Sequence, residues 1–256
     1  MARHEQSVQQ QFNSQAQAYL TSAVHARGPD LAEARQRVRA GLSKEAQALD
    51  VGCGAGHLSF TLAQALNRVV ALDPSPGMLT TVAQAAAARG LPQVETRQGS
   101  AASLPFADQA FDLVGTRYSA HHWLGIPDCV RELRRVLKPG GALLVIDITG
   151  HADPLVDTHL QAMELLRDPS HVRDYSEHEW LTLLQQAGFK HIEHHSWPTR
   201  LEFTPWVERM RTSPARIAAI RELQTGAPAE VREALQLAAD GSFTAETTLF
   251  WAQLVH

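Results

Sequence analysis

The sequence predicts a doubly wound α/β fold: a mostly parallel, seven-stranded sheet covered by helices on both faces, with a helical lid at the N-terminus and a helical cap toward the C-terminus. Two observations carry this. Short apolar runs alternate with helical patterns between residues 48 and 148, and the first of those runs leads directly into a glycine-rich turn. Such alternation means that each strand returns to a parallel neighbour through a helix, because a parallel connection must cross the length of the sheet.

The elements follow in order. Residues 4–28 are polar with scattered aromatics, Phe12 and Tyr19 among them. Pro29 opens a helical pattern over 30–42, since a first helical turn tolerates the missing N–H. Buried strands are predicted at 48–51, 68–72, 94–97, 111–116 and 142–148, where near-continuous apolar stretches suit strands covered on both faces. Helices are predicted between them at 57–66, 77–88 and 126–137. Beyond Ile148 the rhythm loosens. Helices over 155–166 and 176–187 precede a strand near 191–196, then a helical stretch punctuated by Pro198, Pro205, Pro214 and Pro228, then a β-rich run over 247–255. Residues 204–240 read as an inserted cap, and caps on α/β domains shape substrate pockets. The expected organisation is one domain in three parts: lid and first helix over 1–45, ligand-binding core over 46–150, and substrate-side strands with the cap over 151–256.

Bulk properties narrow the function. With 256 residues, 44% hydrophobic and 20% charged, the chain is globular, without repeats or low-complexity segments. A net charge of -4 speaks against a partner gripped through phosphates, so no nucleic acid is expected. Cys53 and Cys129, the only cysteines, lie far apart without metal-ligand spacing and imply a reducing compartment. The first fifteen residues are polar, and no stretch approaches the length of a membrane span. The expectation is a cytoplasmic protein with a small-molecule substrate; monomer and homodimer are both open.

The most informative segment is Leu49-Asp50-Val51-Gly52-Cys53-Gly54-Ala55-Gly56-His57. A buried strand runs into a turn whose glycines permit positive φ and let the backbone approach a ligand. Asp73 ends the next strand, about twenty residues on, where a carboxylate can hold ribose hydroxyls. A nicotinamide-dependent oxidoreductase is the first rival. Its pattern requires a third glycine at residue 57, where this chain has His57, and Asp50 is poor company for a pyrophosphate but good company for a cationic ligand.

At these residues the chain resembles the class I S-adenosylmethionine-dependent methyltransferases, in the branch that includes the ubiquinone and menaquinone biosynthesis methyltransferases. Leu72-Asp73-Pro74-Ser75-Pro76-Gly77-Met78-Leu79, Leu104-Pro105-Phe106 leading into Phe111-Asp112-Leu113-Val114, and Val136-Leu137-Lys138-Pro139-Gly140-Gly141 agree in order and spacing. The resemblance implies a Rossmann-like fold and S-adenosyl-L-methionine as cofactor. It implies that Asp50, Gly52, Cys53, Gly54 and Gly56 surround the methionine part, that Asp73 with Pro74 holds the ribose, and that Met78 packs on the adenine. The family's acidic residue after Gly99 is replaced by Ser100, which leaves the adenine contact to the Ser100 hydroxyl or the Ala101 backbone. Tyr19 and His25 match the branch's lid; packing and capping of the first helix is the alternative role.

Methyl transfer needs alignment and exclusion of water, and a base only for a poorly acidic nucleophile. Past the fourth strand, Arg117 can orient an anionic or carbonyl-bearing acceptor and also touch the cofactor, while His121 or His122 can accept a proton; packing beside Trp123 is the alternative. No metal is expected, since the adjacent His194 and His195 in a strand point to opposite faces. Tyr175, Trp197, Trp206 and Trp251 are aromatic candidates for the pocket wall, with core packing the expected role of most of them. The expected function is methyl transfer to a small acceptor, with aromatic and quinol-like molecules in range. An RNA-modifying methyltransferase and a non-catalytic S-adenosylmethionine-binding protein are the rivals.

Overall fold

The computed structural model describes residues 3–13, 19–20 and 28–255. The chain begins with helices α1 (Arg3–Asn13) and α2 (Pro29–Gly41). It continues through β1 (Gln47–Val51), α3 (His57–Ala63), β2 (Arg68–Asp73), α4 (Pro76–Ala88), β3 (Val94–Gln98) and β4 (Phe111–Arg117). A 3-10 turn at Ala120–His122 leads to α5 (Ile126–Val136), β5 (Leu137–Thr149), α6 (Pro154–Arg167) and α7 (Glu177–Gln186). Then come β6 (Lys190–Leu201), α8 (Phe203–Arg209), α9 (Pro214–Thr225), α10 (Ala229–Ala234) and β7 (Phe243–Gln253).

The seven strands lie in the order β3-β2-β1-β4-β5-β7-β6. All run parallel except β7, which is antiparallel to both its neighbours. Both faces are covered, and the alternation of a strand shows it. Leu49, Val51, Leu143, Val145 and Phe250 join one apolar layer, under α5 and α7. Ala48, Leu144, Ile146 and Leu249 join the other, under α2 and α3. Helix α5 buries Ile126, Cys129, Val130, Leu133 and Val136, a spacing of three and four that turns one stripe to the sheet and its arginines outward. The cap has a core of its own, in which Leu160, Met163, Trp206, Ile220, Val231 and Phe243 meet.

Helix starts follow local chemistry. Ser75 caps α4 by accepting the Met78 N–H at 3.2 Å, Asp153 caps α6 through the Leu155 N–H at 2.8 Å, and Ser176 and Glu179 form a reciprocal capping box on α7. Three strand boundaries differ from the sequence expectation. Strand β5 starts at Leu137, because its Lys-Pro-Gly-Gly stretch is absorbed as a register shift against β4 between Phe111 and Leu113. Strand β6 continues through Pro198 to Leu201; it lies at the sheet edge, where a missing N–H costs no ladder bond. Strand β7 consequently begins at Phe243, opposite Leu201.

Among the described residues no helix is long and apolar enough to cross a membrane, and no group of three or more His, Cys, Asp or Glu is arranged to hold a metal ion. His194 faces Glu177 and Phe250 while His195 stacks on Trp197.

Candidate active site

The direction of sheet growth reverses between β1 and β4, and ligands of open α/β sheets bind beyond the carboxyl ends of strands at such a point. Two adjoining cavities lie there. The first, of about 200 Å3, is bordered by the loops after β1, β2 and β3 and by α1. The second, of about 70 Å3, lies toward the cap, and both are walled by Phe12, Tyr19, Tyr118 and His122.

The turn after β1 sets the first cavity. Gly52, Gly54 and Gly56 have φ of 69°, 49° and 88°, left-handed values that favour glycine. The three glycines do different work. A Cβ on Gly52 would strike Ser119 Oγ, and one on Gly56 would press on Phe60 and Val82. A Cβ on Gly54 would meet nothing within 4 Å, so this backbone borders open space. Gly56 starts α3 and packs; it does not line the cavity, which corrects the expectation that all three glycines surround a ligand.

Two carboxylates flank the turn. Asp73 accepts the Gly54 N–H at 2.9 Å on one oxygen and the Ser75 N–H at 2.8 Å on the other, tying the first two loops together. Burial pushes it up to about 6, against the pull of those two backbone bonds. Asp50 is fully buried at the end of β1. One oxygen accepts the Ser59 hydroxyl at 2.6 Å, while the other has no hydrogen-bond partner among the described residues. Burial pushes Asp50 up to about 7; the Ser59 bonds oppose this and the charge of Asp73 adds to it.

Helix α1 borders the cavity through Val8, Gln9 and Phe12. Gln9 donates to the Pro74 carbonyl at 3.1 Å, and Asn13 Oδ1 accepts the Ser75 hydroxyl at 2.5 Å. On the other side His4 donates to the His122 carbonyl at 3.0 Å, and Gln11 donates to the Met210 carbonyl at 3.1 Å. Tyr19 gives its carbonyl to the His57 Nε2–H at 3.1 Å and its hydroxyl to the Met210 sulfur at 2.9 Å. His57, which burial holds below its ordinary value, thus stands at the start of α3, where a dinucleotide pattern would need a glycine.

The two histidines after β4 face different partners. His121 Nδ1 donates to Asp147 Oδ1 at 2.6 Å. Burial opposes its charge, but the field and hydrogen bond of Asp147 prevail and raise it to about 9, so this ring is protonated at neutral pH. His122 lies beside it, ring centroids 4.2 Å apart. Its Nδ1 is 3.0 Å from the Ser170 carbonyl, which can only accept, so Nδ1 carries the hydrogen and Nε2 keeps its lone pair. Burial first, and then the positive charge of His121, hold His122 below its ordinary value. The pair shares one proton, and Asp147 places it on His121.

Of the residues singled out in the sequence, Tyr19, Asp50, Gly52, Cys53, Gly54, Asp73, Pro74, Met78, Ser100, Ala101, Arg117 and His122 line the first cavity. His121 lines the second, and His25 lies outside the described residues. Arg117 needs correction as an anchor for the acceptor: its Nε donates to Asp30, both side chains are buried, and its guanidinium lies over Tyr118. Sequence reasoning missed Asp147, although a lone carboxylate inside the apolar run Val145-Ile146-Asp147-Ile148 was a signal for it. It also missed Arg167, Asp168 and Arg209, for which no local pattern exists. Of the four aromatic candidates, Trp206 lines the second cavity, whereas Trp251 belongs to the core.

Comparisons with known proteins agree with this geometry. A family model described as a methyltransferase domain matches residues 49–145. YafE of Escherichia coli K12, itself uncharacterized, is 49% identical over 76% of this chain and 94% of its own length. YcgJ of Bacillus subtilis, an uncharacterized methyltransferase, is 32% identical over 80% of each chain. Its crystal structure superposes with a TM-score of 0.84 over 89% of this chain and 99% of its own, at 29% identity. The demethylmenaquinone methyltransferase of Lactococcus lactis is 28% identical over 75% of this chain and 85% of its own length. Sheet order, glycine turn and relatives define a class I S-adenosylmethionine-dependent methyltransferase fold, and the chain belongs to that family. It is an enzyme, a methyltransferase.

Proposed function

We propose that the enzyme transfers a methyl group from S-adenosyl-L-methionine to a small-molecule acceptor seated in the second cavity. The first cavity fits the cofactor on two counts. The unpartnered buried oxygen of Asp50 suits the positively charged methionine end, and the open space over Gly54 lets a ligand lie against backbone. Asp73 would hold the ribose hydroxyls, Met78 the adenine face, and Ser100 and Ala101 the adenine edge. When bound, the cofactor supplies a sulfonium methyl that needs no further activation.

The observation that carries the reading is the position of His122, in the wall shared by both cavities with Nδ1 committed to Ser170 and Nε2 turned toward Asp168 at 3.9 Å. His122 takes the acceptor's proton at Nε2. Burial and the charge of His121 push His122 down to about 4, so it holds that proton only briefly, and Asp168, 3.9 Å from that nitrogen, steadies the imidazolium formed. Phe12, Tyr19 and α1 exclude water from above. Net charge of -4 favours a small acceptor over RNA.

Calorimetry with S-adenosylhomocysteine and with NAD tests the cofactor assignment. Micromolar binding of the first and none of comparable strength for the second is expected; preference for NAD would overturn the reading.

A further inference from the structure

The second cavity has a composition that the cofactor does not explain. Two guanidiniums converge on it, Arg167 from the end of α6 and Arg209 from the end of α8. Arg167 is fixed: its Nε donates to the Trp206 carbonyl at 3.0 Å and its plane lies over the Trp206 ring. Arg209 lies beside the Tyr19 ring. Burial opposes the charge of Arg209 first and the neighbouring Arg167 second, and Tyr19 and Glu164 offset this only in part.

Three carboxyl groups also line the cavity, and each is accounted for. Asp168 accepts the Ser170 N–H at 2.8 Å and its hydroxyl at 2.6 Å on one oxygen and faces His122 with the other. Asp174 is pushed well above the carboxylate range, by burial first and by the charge of Glu164 second, with the charge of His121 pulling the other way. Glu164 stands 3.4 Å from Arg167. Two buried guanidiniums and the protonated His121 therefore share this space with the carboxylates of Glu164 and Asp168, and it opens onto His122.

We propose that this cavity grips an oxyanion on the methyl acceptor, a carboxylate or a phosphate, through Arg209 with Arg167, and so presents the other end of the acceptor to His122. Planar guanidinium forks match both groups with paired hydrogen bonds and select them over neutral molecules of the same shape. The inference rests on the acceptor reading above and narrows it. A quinol that carries only an apolar tail offers these arginines nothing.

The test uses enzyme saturated with S-adenosylhomocysteine, titrated with benzoate, phenyl phosphate and benzamide. At least one anion should bind about ten-fold or more tightly than benzamide, and which of the two binds better identifies the oxyanion. Arg209→Met should lower the affinity for that anion by about 10- to 100-fold, to the level of benzamide. Its dissociation constant for S-adenosylhomocysteine should stay within a few-fold, which also shows that the variant is folded. Arg209→Lys keeps the charge without the fork and should retain part of the preference; it serves if the methionine variant does not fold. Equal binding of all three probes, binding of neither anion, or an anion preference that survives in Arg209→Met overturns the proposal. Failure of S-adenosylhomocysteine to bind the wild-type enzyme overturns the cofactor reading instead.

Discussion

The two cavities are built on opposite principles. The first is set by a contiguous strand-turn-helix: Gly52 and Gly54, two strand-end carboxylates and the start of α3. The second is made of side chains from elements far apart in the chain, with the turn after β4 supplying imidazoles, β5 Ile148, and α6 and α8 the arginines. A cavity of the first kind suits a ligand common to a whole family, because a local turn can be inherited intact. A cavity of the second kind can change its ligand by single substitutions on surrounding helices.

This contrast can be broken by experiment. The largest effect is expected from Gly54→Val, which puts a branched side chain into the open space and onto a left-handed backbone. Binding of S-adenosylhomocysteine should be lost by calorimetry while circular dichroism stays native; normal binding would reduce the turn to a structural one. His122→Ala should do the reverse. Cofactor affinity should stay within a few-fold, and turnover of an identified acceptor should fall about 10²–10⁴-fold, the scale of a lost general base. Normal turnover at every pH would leave alignment as the whole mechanism.

Asp73→Ala should weaken S-adenosylhomocysteine by about 10- to 100-fold, the scale of a charged hydrogen bond, and its two backbone bonds to the loops place the variant toward the upper end. The smallest effect is a pH dependence. Asp50 sits near 7 in the free enzyme, pushed up by burial, and a bound cation favours its ionised form. Below that value binding must release a proton, so affinity should rise with pH toward 7 by at most about ten-fold per unit, then level off. Calorimetry between pH 5.5 and 8 checks the slope, and Asp50→Asn should flatten it. A flat wild-type profile would remove Asp50 from the cationic end of the ligand.

The same contrast explains what could be read in the sequence. The strand-turn-helix around Gly54 is contiguous, so composition, spacing and the placement of Asp50 and Asp73 all pointed to it. The βα alternation was equally legible, except that β3, expected among the buried strands, lies at the sheet edge with Glu95 to Gln98 exposed. Boundaries failed where tertiary pairing decides, as at Leu137 and Phe243, where a bulge and an edge partner set the ends. Gly56 looked like Gly54 in the sequence, and only the positions of Phe60 and Val82 separate their roles. Arg117 looked free until Asp30 came alongside it. Arg167 and Arg209 lie on different helices with no spacing rule between them, and only the packing of the cap brings them together.

Helix α1 touches both halves of the site. Its side chains reach Pro74 and Ser75 on one flank and His122 and Met210 on the other. Each such hydrogen bond is worth about 1 kcal/mol, and through Phe12 the helix borders both cavities. With cofactor and acceptor placed as proposed, the two ligands share one wall on α1. Shortening Gln9 or Asn13 should then loosen the grip on both ligands together, and weakening of one alone would show that the helix serves a single cavity.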